Sequence, residues 1–408
     1  MTTRPTIVNP MAILEKAHPH HGPQSEVQHI QPSIPVAQES RGVPQPTSDP
    51  PAVQQPDPAV LPPPPPPPIP TTLPVPDDRV QAFYYPWYGN PTVDKKYFHW
   101  NHEIFDDSHQ FHKPPASIGS AYWPELGLYS SADPEIVDKH MEMMKEGGIG
   151  VVVVSWLPPR ITETQKYPLN DRMQMILDRA AAHGLKVAVH HEPYEGRSGP
   201  SIATDLIYLQ ATYGAHPALY RREGRIVLYV YDSYAAPNLG ALTKGTSSIR
   251  GKPHDAFLIG LLVESLHLDE LHNAGFDAAY TYFATDGFTY GSSTRVWATV
   301  ASKCKQFGML FVPCVGPGYD DRSIRPWNAR NYRGREAGTY YDRMWNAALV
   351  VTPSIVGVTS FNEWHEGTQI EPVVAHNQYP SYEQGPRQYL QATARHAARL
   401  REQTAPQR

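Results

Sequence analysis

The chain has 408 residues, a formal net charge of −5 and two cysteines, Cys304 and Cys314. The net charge and the thin spread of Lys and Arg argue against a nucleic-acid partner, because no basic stripe could neutralise phosphates. Two cysteines exclude a disulfide framework and a four-cysteine zinc site. We expect them to be free thiols or, if they face each other, one disulfide bridge.

The first 76 residues form a proline-rich tail. They hold 22 of the 44 prolines, including the run of seven at 62–68, and proline is excluded from helix interiors and central strands. Gln, His and Ser stand between the prolines, so residues 1–76 are predicted to be a disordered stem, either a spacer or a ligand for a proline-reading module. Residues 77–402 have an ordinary globular composition and are predicted to form one domain.

The sequence carries no signal for membrane insertion or export. No apolar run reaches the roughly 18 residues that a membrane helix needs. The N-terminus lacks the basic, apolar and small-residue order of a signal peptide. The sequence as written therefore predicts neither a membrane span nor a secreted protein.

Eight short apolar runs alternate with helix-like segments from residue 80 onward. Most runs are apolar throughout, as expected for parallel strands covered on both faces. The alternation predicts an α/β fold, a (β/α)8 TIM barrel with enlarged βα loops. An open doubly wound sheet is the main alternative, but no Gly-rich phosphate turn follows the first run. The runs span residues 80–88, 150–156, 186–193, 225–232, 256–263, 278–284, 309–315 and 355–361.

Capping residues mark three of the intervening helices. Asp133 can cap a helix that has Pro134 at its first position and ends at Gly147. A second helix is predicted over 171–184 and a third over 293–308, and each ends at a glycine. In a barrel of this kind the active site lies at the carboxyl ends of the strands.

Aromatic, acidic and histidine side chains crowd the ends of the predicted strands, as in "YYPWYGNP", "HHEPYEGR" and "FNEWHEG". Ring faces that cover apolar patches of a sugar and carboxylates that bind hydroxyls are typical of a carbohydrate pocket. Period-two alternation places His190 and Glu192 on one face of the third strand and His191 on the other. One of the two histidines is therefore expected to face the helix layer.

A metal site is a second chemistry that this rim could support. His190, His191 and His365 near Glu192 and Glu366 could in principle hold a metal ion. No His-Glu-x-x-His helix or close Cys/His spacing is present, so no metal is predicted. A Ser-His-Asp nucleophile is disfavoured in the same way, because no Gly-x-Ser-x-Gly follows a strand.

Glu363 and Glu366 are the acid/base candidates after the eighth strand. Residues three apart on a helical turn are neighbours at roughly 5–6 Å, and retaining glycosidases hold their two carboxyl groups about 5–5.5 Å apart. One pKa of so close a pair should rise, as a general acid requires. Two glutamates at this spacing are also common in solvated loops, and the spacing alone leaves that alternative open. Glu371, a third acid in the same stretch, is expected to be a structural or loop residue.

Nine longer motifs follow one another from about residue 80 to about residue 372: "AFYYPWYGNP", "YFHWNH", "GSAYWPELGLYSS", "VVVSWLPP", "HHEPYEGR", "YVYDSY", "YTYFATDGFTYGSS", "VPCVGPGYDDRSIRPWN" and "TSFNEWHEGTQIEP". Together they resemble the Golgi endo-α-1,2-mannosidases of glycoside hydrolase family 99. The resemblance covers all eight predicted strand ends.

The resemblance implies a (β/α)8 catalytic domain over 77–402 that acts as a retaining endo-glycosidase. It would cut an internal α-1,2-mannosidic bond in glucosylated high-mannose N-glycans on glycoproteins and release a glucosyl-mannose fragment. Glu366 would be the general acid and then the base, and Glu363 would deprotonate the sugar 2-hydroxyl to give a 1,2-anhydro intermediate. The resemblance implies no cofactor, no metal, and a location in the Golgi lumen or membrane. Substrate contacts are expected from Tyr85, Trp87, Trp156, His190, Glu192, Tyr231, Tyr282, Arg325, Asn362, Trp364 and His365.

Two features depart from the animal members of this family. Leu157 follows the Ser-Trp of the second strand, where they carry an aromatic residue, which puts recognition of the outermost sugar in question. They also begin with a membrane anchor, so membrane association is expected only through an anchor missing from this chain. The alternative hypotheses are a catalytically silent glycan-binding paralogue and a metal-dependent hydrolase on the same barrel.

Overall fold

The computed structural model describes residues 74–161, 169–246 and 248–404. The predicted stem, residues 1–76, lies outside the described residues except for its last three positions. The helices and strands given below all belong to the domain predicted over 77–402, except for the last residues of the final helix.

Nine parallel strands pair side by side in the order β10, β11, β1, β3, β4, β6, β7, β8, β9. Two short antiparallel pairs, β5 with β6 and β2 with β12, add to this arrangement. The strands are β1 Asp77–Tyr84, β2 Trp123–Pro124, β3 Ile149–Trp156, β4 Lys186–His191, β5 Arg221–Arg222, β6 Arg225–Val230, β7 Ala256–Leu261, β8 Ala278–Tyr280, β9 Leu310–Val312, β10 Cys314–Val315, β11 Val356–Val358 and β12 Val373–Val374.

The seventh strand of the barrel is interrupted at Pro313. On either side of this residue, β9 pairs with β8 and β10 pairs with β11. Proline has no N–H to give to a neighbouring strand, but its carbonyl accepts a hydrogen bond from Gly357 N at 3.0 Å. The next N–H, that of Cys314, donates to Thr281 Oγ1 at 2.9 Å. Since β11 pairs back to β1, the strands occupy eight positions around a barrel, and the predicted fold is confirmed.

Helices pack around the outside of the barrel. Between β6 and β7 the described residues form two short 3₁₀ turns, Ser233–Ala235 and Leu239–Leu242, where a regular βα unit would have a helix. None of the described helices is long and apolar enough to span a bilayer. The helices are α1 Pro91–Asp94, α2 Pro134–Glu146, α3 Leu169–Ala182, α4 Gly199–Tyr213, α5 His267–Asn273, α6 Trp297–Gln306, α7 Thr339–Val350 and α8 Gln388–Thr404.

The predicted helix boundaries hold for α2 and fail at the start of α6. The Asp133 side chain accepts a hydrogen bond from the second residue of α2, and Gly147 follows the last residue of this helix. Ser293 was expected to begin the third helix, but its hydroxyl donates to Thr289 O at 2.7 Å and does not cap the helix. A 3₁₀ turn, Thr294–Val296, therefore precedes α6.

Side chains alternate between the barrel interior and the helix layer. On β3, Val151 and Val153 pack inside, whereas Trp156 packs between the sheet and the helices. Phe83 on β1 lies 5.5 Å from Tyr229 on β6, measured between ring centroids. Because these strands are not neighbours, the two rings meet across the interior, which is filled with side chains and is not a pore.

Cys304 and Cys314 are both buried free thiols, so the alternative of one disulfide bridge is wrong. Burial raises the pKa of Cys304 to about 12 and that of Cys314 to about 11. Thiols that stay protonated up to such a high pH are poor nucleophiles and poor metal ligands, because the thiolate is the reactive form. Their contribution is packing.

Candidate active site

The segment after β11 forms a loop that closes on itself at the carboxyl end of the barrel. Ser360 N donates to Thr368 O at 2.9 Å, and Ile370 N donates to Ser360 O at 3.0 Å. Gly367 has φ +61°, and a Cβ there would lie 2.9 Å from the Asp320 carbonyl oxygen, so only glycine fits. The glutamates at 363 and 366 therefore share a tight turn, not the helical turn considered from their spacing.

Glu363 is buried and its carboxylate is oriented by the backbone of the same turn. Its N–H donates to Ser360 Oγ at 2.8 Å, and its Oε1 accepts from His365 N at 3.1 Å. His365 Nε2 lies 2.9 Å from the His99 carbonyl oxygen, which can only accept, so this nitrogen carries the proton. Burial lowers the pKa of His365 well below its usual value. A neutral ring then turns its bare Nδ1 toward Glu363 Oε1, 3.8 Å away.

Glu366 is half-buried and is surrounded by residues that follow the seventh strand. Its backbone carbonyl accepts a hydrogen bond from Asp320 N at 2.7 Å. Burial raises the pKa of Glu366 to about 7, although the positive charge of Arg325 acts to lower it. Arg325 is oriented by a hydrogen bond to Asp321 Oδ2 at 3.2 Å.

The two glutamates influence each other's protonation. Burial, followed by the charge of Glu366, raises the pKa of Glu363 well above its usual value. Two nearby carboxyl groups in a low-dielectric site resist carrying two negative charges, and such protons belong to the pair. Near neutral pH the pair can therefore donate a proton through one carboxyl group and accept one through the other.

A wall of tyrosines and a histidine rises from the barrel interior beside the acids. The hydroxyl groups of Tyr85 and Tyr282 are hydrogen-bonded to each other. The ring of Tyr231 lies 4.9 Å from that of Tyr282 and 5.2 Å from that of His190. His190 Nδ1 lies 3.1 Å from Glu192 Oε1. Five residues predicted to contact a substrate are thus brought together by four different strands or their ends.

Trp87 lies next to this wall of tyrosines. It is half-buried, lies 4.6 Å from the Tyr85 ring and stacks on His99 at 4.7 Å with an interplanar angle of 10°. Leu157 and Tyr194 belong to a small buried apolar cluster against which Trp87 also packs. Leu157, which stands where the resemblance implies an aromatic residue, therefore belongs to the cluster against which Trp87 packs.

Comparison with known proteins identifies the family of this chain. The sequence model described as "Glycosyl hydrolase family 99" matches residues 75–402. The chain belongs to glycosyl hydrolase family 99. It is a glycoside hydrolase.

Three relatives of this family 99 enzyme illustrate the similarity. The "Glycoprotein endo-alpha-1,2-mannosidase" of Xenopus laevis is 45% identical over 319 residues, which cover 74% of this chain and 71% of that protein. The protein of the same name from Rattus norvegicus is 46% identical over 313 residues, covering 72% and 68%. The solved "GH99 endo-alpha-mannosidase from Bacteroides thetaiotaomicron" has a TM-score of 0.76 at 39% identity, covering 80% of this chain and 99% of that one.

Two predicted contact residues of this family 99 enzyme, Asn362 and Trp364, are fully buried within the acid-bearing loop. Asn362 accepts from Tyr85 N at 2.7 Å and donates to Tyr85 O at 3.0 Å, so both ends of its amide join the first strand to the acid-bearing loop. Trp364 is fully buried and its indole N–H lies 3.1 Å from both Tyr129 Oη and Glu371 Oε2. Both residues support the loop from below.

Trp156 and His191 lie on the outer side of the barrel wall. The Trp156 indole N–H donates to Asn170 Oδ1 on α3 at 3.1 Å. His191 Nε2 lies 3.0 Å from Asp205 Oδ2 on α4, so this is the histidine that faces the helices, as the alternation predicted for one of the pair. Trp156 is thus not brought together with Tyr85, Tyr231 and Tyr282 on the inner side of the wall.

The two adjacent histidines considered as metal ligands, His190 and His191, point to opposite sides of the barrel wall. His190 points into the barrel interior and His191 points out of it, because they are consecutive residues on one strand. Within residues 74–161, 169–246 and 248–404, no group of three or more His, Cys, Asp or Glu side chains is arranged to hold a metal ion.

A buried network behind the acid-bearing loop was missed from the sequence. Glu371 is fully buried, where its Oε2 accepts from Tyr129 Oη at 2.8 Å and its Oε1 lies 3.3 Å from His140 Nε2 on α2. His140 Nδ1 is in turn 3.0 Å from Tyr84 Oη. The only local signal for this burial is the apolar sequence "QIEPVV" around the acid.

Proposed function

We propose that this protein is a retaining endo-α-1,2-mannosidase that cuts an internal α-1,2-mannosidic bond in glucosylated high-mannose N-glycans and releases a glucosyl-mannose fragment. The observation that carries the proposal is that two acids, Glu363 and Glu366, lie on one tight turn beside a wall of aromatic side chains. The relatives named as glycoprotein endo-alpha-1,2-mannosidases give further support.

In the first step, Glu366 donates its proton to the glycosidic oxygen as the bond from that oxygen to the anomeric carbon breaks. Glu363 takes the proton of the sugar 2-hydroxyl, and the 2-oxygen attacks the anomeric carbon to close a 1,2-anhydro ring. A pKa near 7 suits the acid, since proton transfer is best from a group close to the working pH. The elevated pKa of Glu363 makes its ionised form a stronger base than an ordinary carboxylate.

In the second step the two acids exchange tasks. Ionised Glu366 removes a proton from water as its oxygen attacks the anomeric carbon, and protonated Glu363 returns a proton to the 2-oxygen as the three-membered ring opens. Two inversions at one carbon give net retention. Two acids on one tight turn suit this sequence, since both must reach a single sugar residue.

The side chains around the acids divide the work of binding. Tyr85, Tyr231, Tyr282 and Trp87 offer ring faces for stacking against sugar rings. His190, Glu192, Arg325 and His365 offer polar groups for hydrogen bonds to sugar hydroxyls. Asn362 and Trp364 contribute by holding the loop that carries the two acids. Trp156 contributes by joining the second barrel strand to α3 on the outer side of the barrel.

The cellular setting of the proposed activity follows the resemblance to the Golgi enzymes. We place the reaction in the Golgi lumen or at its membrane, where glycoproteins carry such N-glycans. Leu157 next to Trp87 is proposed to alter contacts with the outermost sugar, because an aliphatic side chain cannot stack on a pyranose as an aromatic ring does.

The test is digestion of a glucosylated high-mannose glycan with analysis of the products. We expect a glucosyl-mannose disaccharide whose anomeric configuration, read by NMR at early times, is retained. No release under conditions in which the Bacteroides relative cleaves its own substrate would contradict the proposal. Glycan binding without cleavage would support the silent paralogue. Loss of activity on exhaustive chelation would support a metal-dependent hydrolase.

A further inference from the structure

Arg335, in the segment between β10 and α7, is a buried cation enclosed by three tyrosine rings. Its guanidinium carbon lies 4.9 Å from the ring centroid of Tyr122, 4.7 Å from that of Tyr382 and 4.6 Å from that of Tyr389. Only 6% of the residue is exposed. The negative faces of three aromatic rings stabilise a desolvated guanidinium, which would otherwise be costly to bury.

The same guanidinium holds the backbone that follows Glu366. One of its terminal nitrogens, Nη2, donates to Gly367 O at 2.9 Å and to Gln369 O at 2.8 Å. Gln369 O has a second donor, the Tyr382 hydroxyl, at 3.2 Å. The Gly367 carbonyl thus depends on Arg335 more than the Gln369 carbonyl does. Gly367 is the residue that directly follows Glu366.

Arginine is suited to this place and lysine is not. A planar group with fixed N–H directions can lie among three rings while two hydrogens of one nitrogen point at two different carbonyls. A lysine ammonium could donate to the carbonyls but would leave the space between the rings partly empty. The cage therefore selects for the shape of the guanidinium as well as for its charge.

We propose that Arg335 is a positioning residue for Glu366: the caged guanidinium fixes the Gly367 carbonyl and with it the direction of the Glu366 side chain. The inference rests on the proposed function, because it concerns the placement of the proton donor in that reaction. Arg335 touches no substrate. It acts through the backbone between two loops that come from different strands.

The experiment compares R335K, R335M and R335A with wild type in glycan cleavage. We expect R335M to lower kcat about a hundredfold with little change in KM, because small misplacements of a catalytic group have effects of this size. The kcat of R335K should lie between those of R335M and wild type. R335A should regain part of its kcat when millimolar guanidinium chloride refills the cage, and equal sodium chloride should not restore it. R343M, which removes an exposed arginine paired with Glu336, should match wild type.

The results separate positioning from general stability. The inference is overturned if R335M keeps kcat within a few-fold of wild type, if its loss of activity equals its loss of folded protein, or if guanidinium restores only thermal stability. Should the wild type cleave no glycan, the proposed function fails, and crystal structures decide the inference independently. A Glu366 carboxylate displaced in R335M while Glu363 stays in place supports it, and an unmoved Glu366 overturns it.

Discussion

The two acids lie on one turn that follows the eighth strand, but they are fixed by the strands on either side of it. Glu363 belongs to the side made by the first strand, where the Tyr88 hydroxyl donates to the preceding carbonyl and accepts from the following N–H. Glu366 belongs to the side made by the seventh strand, where Asp320 and Arg335 hold its own carbonyl and the next one. The backbone beside each acid can therefore be disturbed without directly disturbing the backbone contacts of the other.

The electrostatic surroundings differ in the same way. Glu363 is buried among neutral histidines and tyrosines, whereas Glu366 is half-buried beside the cation Arg325. Desolvation raises the pKa of both; the charge of Arg325 is the next cause for Glu366, whereas for Glu363 it follows the charge of Glu366 and a backbone hydrogen bond from His365. These different surroundings allow two chemically identical side chains to perform separate tasks.

The largest effects should come from removing either acid. E363Q and E366Q are each expected to lower turnover by several orders of magnitude while the fold is kept, because each transfers a proton in the proposed reaction. A substrate whose leaving group needs no protonation should restore much of the activity of E366Q and little of that of E363Q. Initial rates on both substrates measure this, with the exposed Glu402 changed to Gln as the control. Equal rescue of both variants would contradict the division of roles.

The next largest effect on activity should come from Tyr88, which follows the first strand and holds the turn that carries Glu363. Y88F keeps the ring but deprives Asn362 O and Trp364 N of their shared partner, which lies 3.1 and 3.2 Å away. Leaving buried polar groups unsatisfied costs about 1–3 kcal/mol. We expect lower stability in denaturant and a kcat reduced by roughly tenfold, since the turn that carries Glu363 loosens.

The control for Y88F is Y341F, which also removes a buried hydroxyl. Tyr341 Oη lies 3.0 Å from Thr393 Oγ1, between α7 and α8 and away from the acids. This variant should lose stability with unchanged kcat. If both variants lose kcat alike, the effect reflects general destabilisation and not the anchoring of Glu363.

The barrel itself was predictable because its signal is local. Parallel strands covered on both faces must be apolar along their whole length, and eight such runs stand out in the sequence. The interruption at Pro313 was not predicted, although proline is a known breaker of strand pairing. The 3₁₀ turns between β6 and β7 were missed as well, since short turns lack a periodic pattern.

The candidate site was predictable only as a set of strand ends. Alternation within a strand says which residues share a face, but it does not say which face is the interior, so it could not show that Trp156, a contact implied by the resemblance, packs toward the helices. The contacts of Glu371 with His140 and of Arg335 with Gly367 join segments far apart in the chain. Such pairings leave no spacing pattern for a single sequence to reveal.

A smaller effect is expected in the pH dependence of stability. The folded pKa of Glu366, about 7, exceeds its ordinary value of 4.5, so the folded state binds more protons than the unfolded state between these pH values. The free energy of unfolding should then fall as pH rises through this window, by roughly 1–3 kcal/mol for this group. E366Q should flatten that slope and be more stable than wild type above pH 7, as urea unfolding at several pH values would measure. A slope in E366Q as steep as that of wild type and of E402Q would contradict this origin.

The smallest and most specific effect should come from the cation beside Glu366. Arg325 lowers the pKa of Glu366, where it is the second cause after burial, and it is a lesser cause for Glu363. R325Q should therefore raise the pKa of Glu366 and move the alkaline limb of the kcat profile to higher pH, because the acid keeps its proton longer. The control is R322Q, three residues away, whose half-exposed side chain pairs with Asp320. An alkaline limb that stays in place in R325Q, or moves equally in R322Q, would mean that the charge at 325 does not distinguish the two acids.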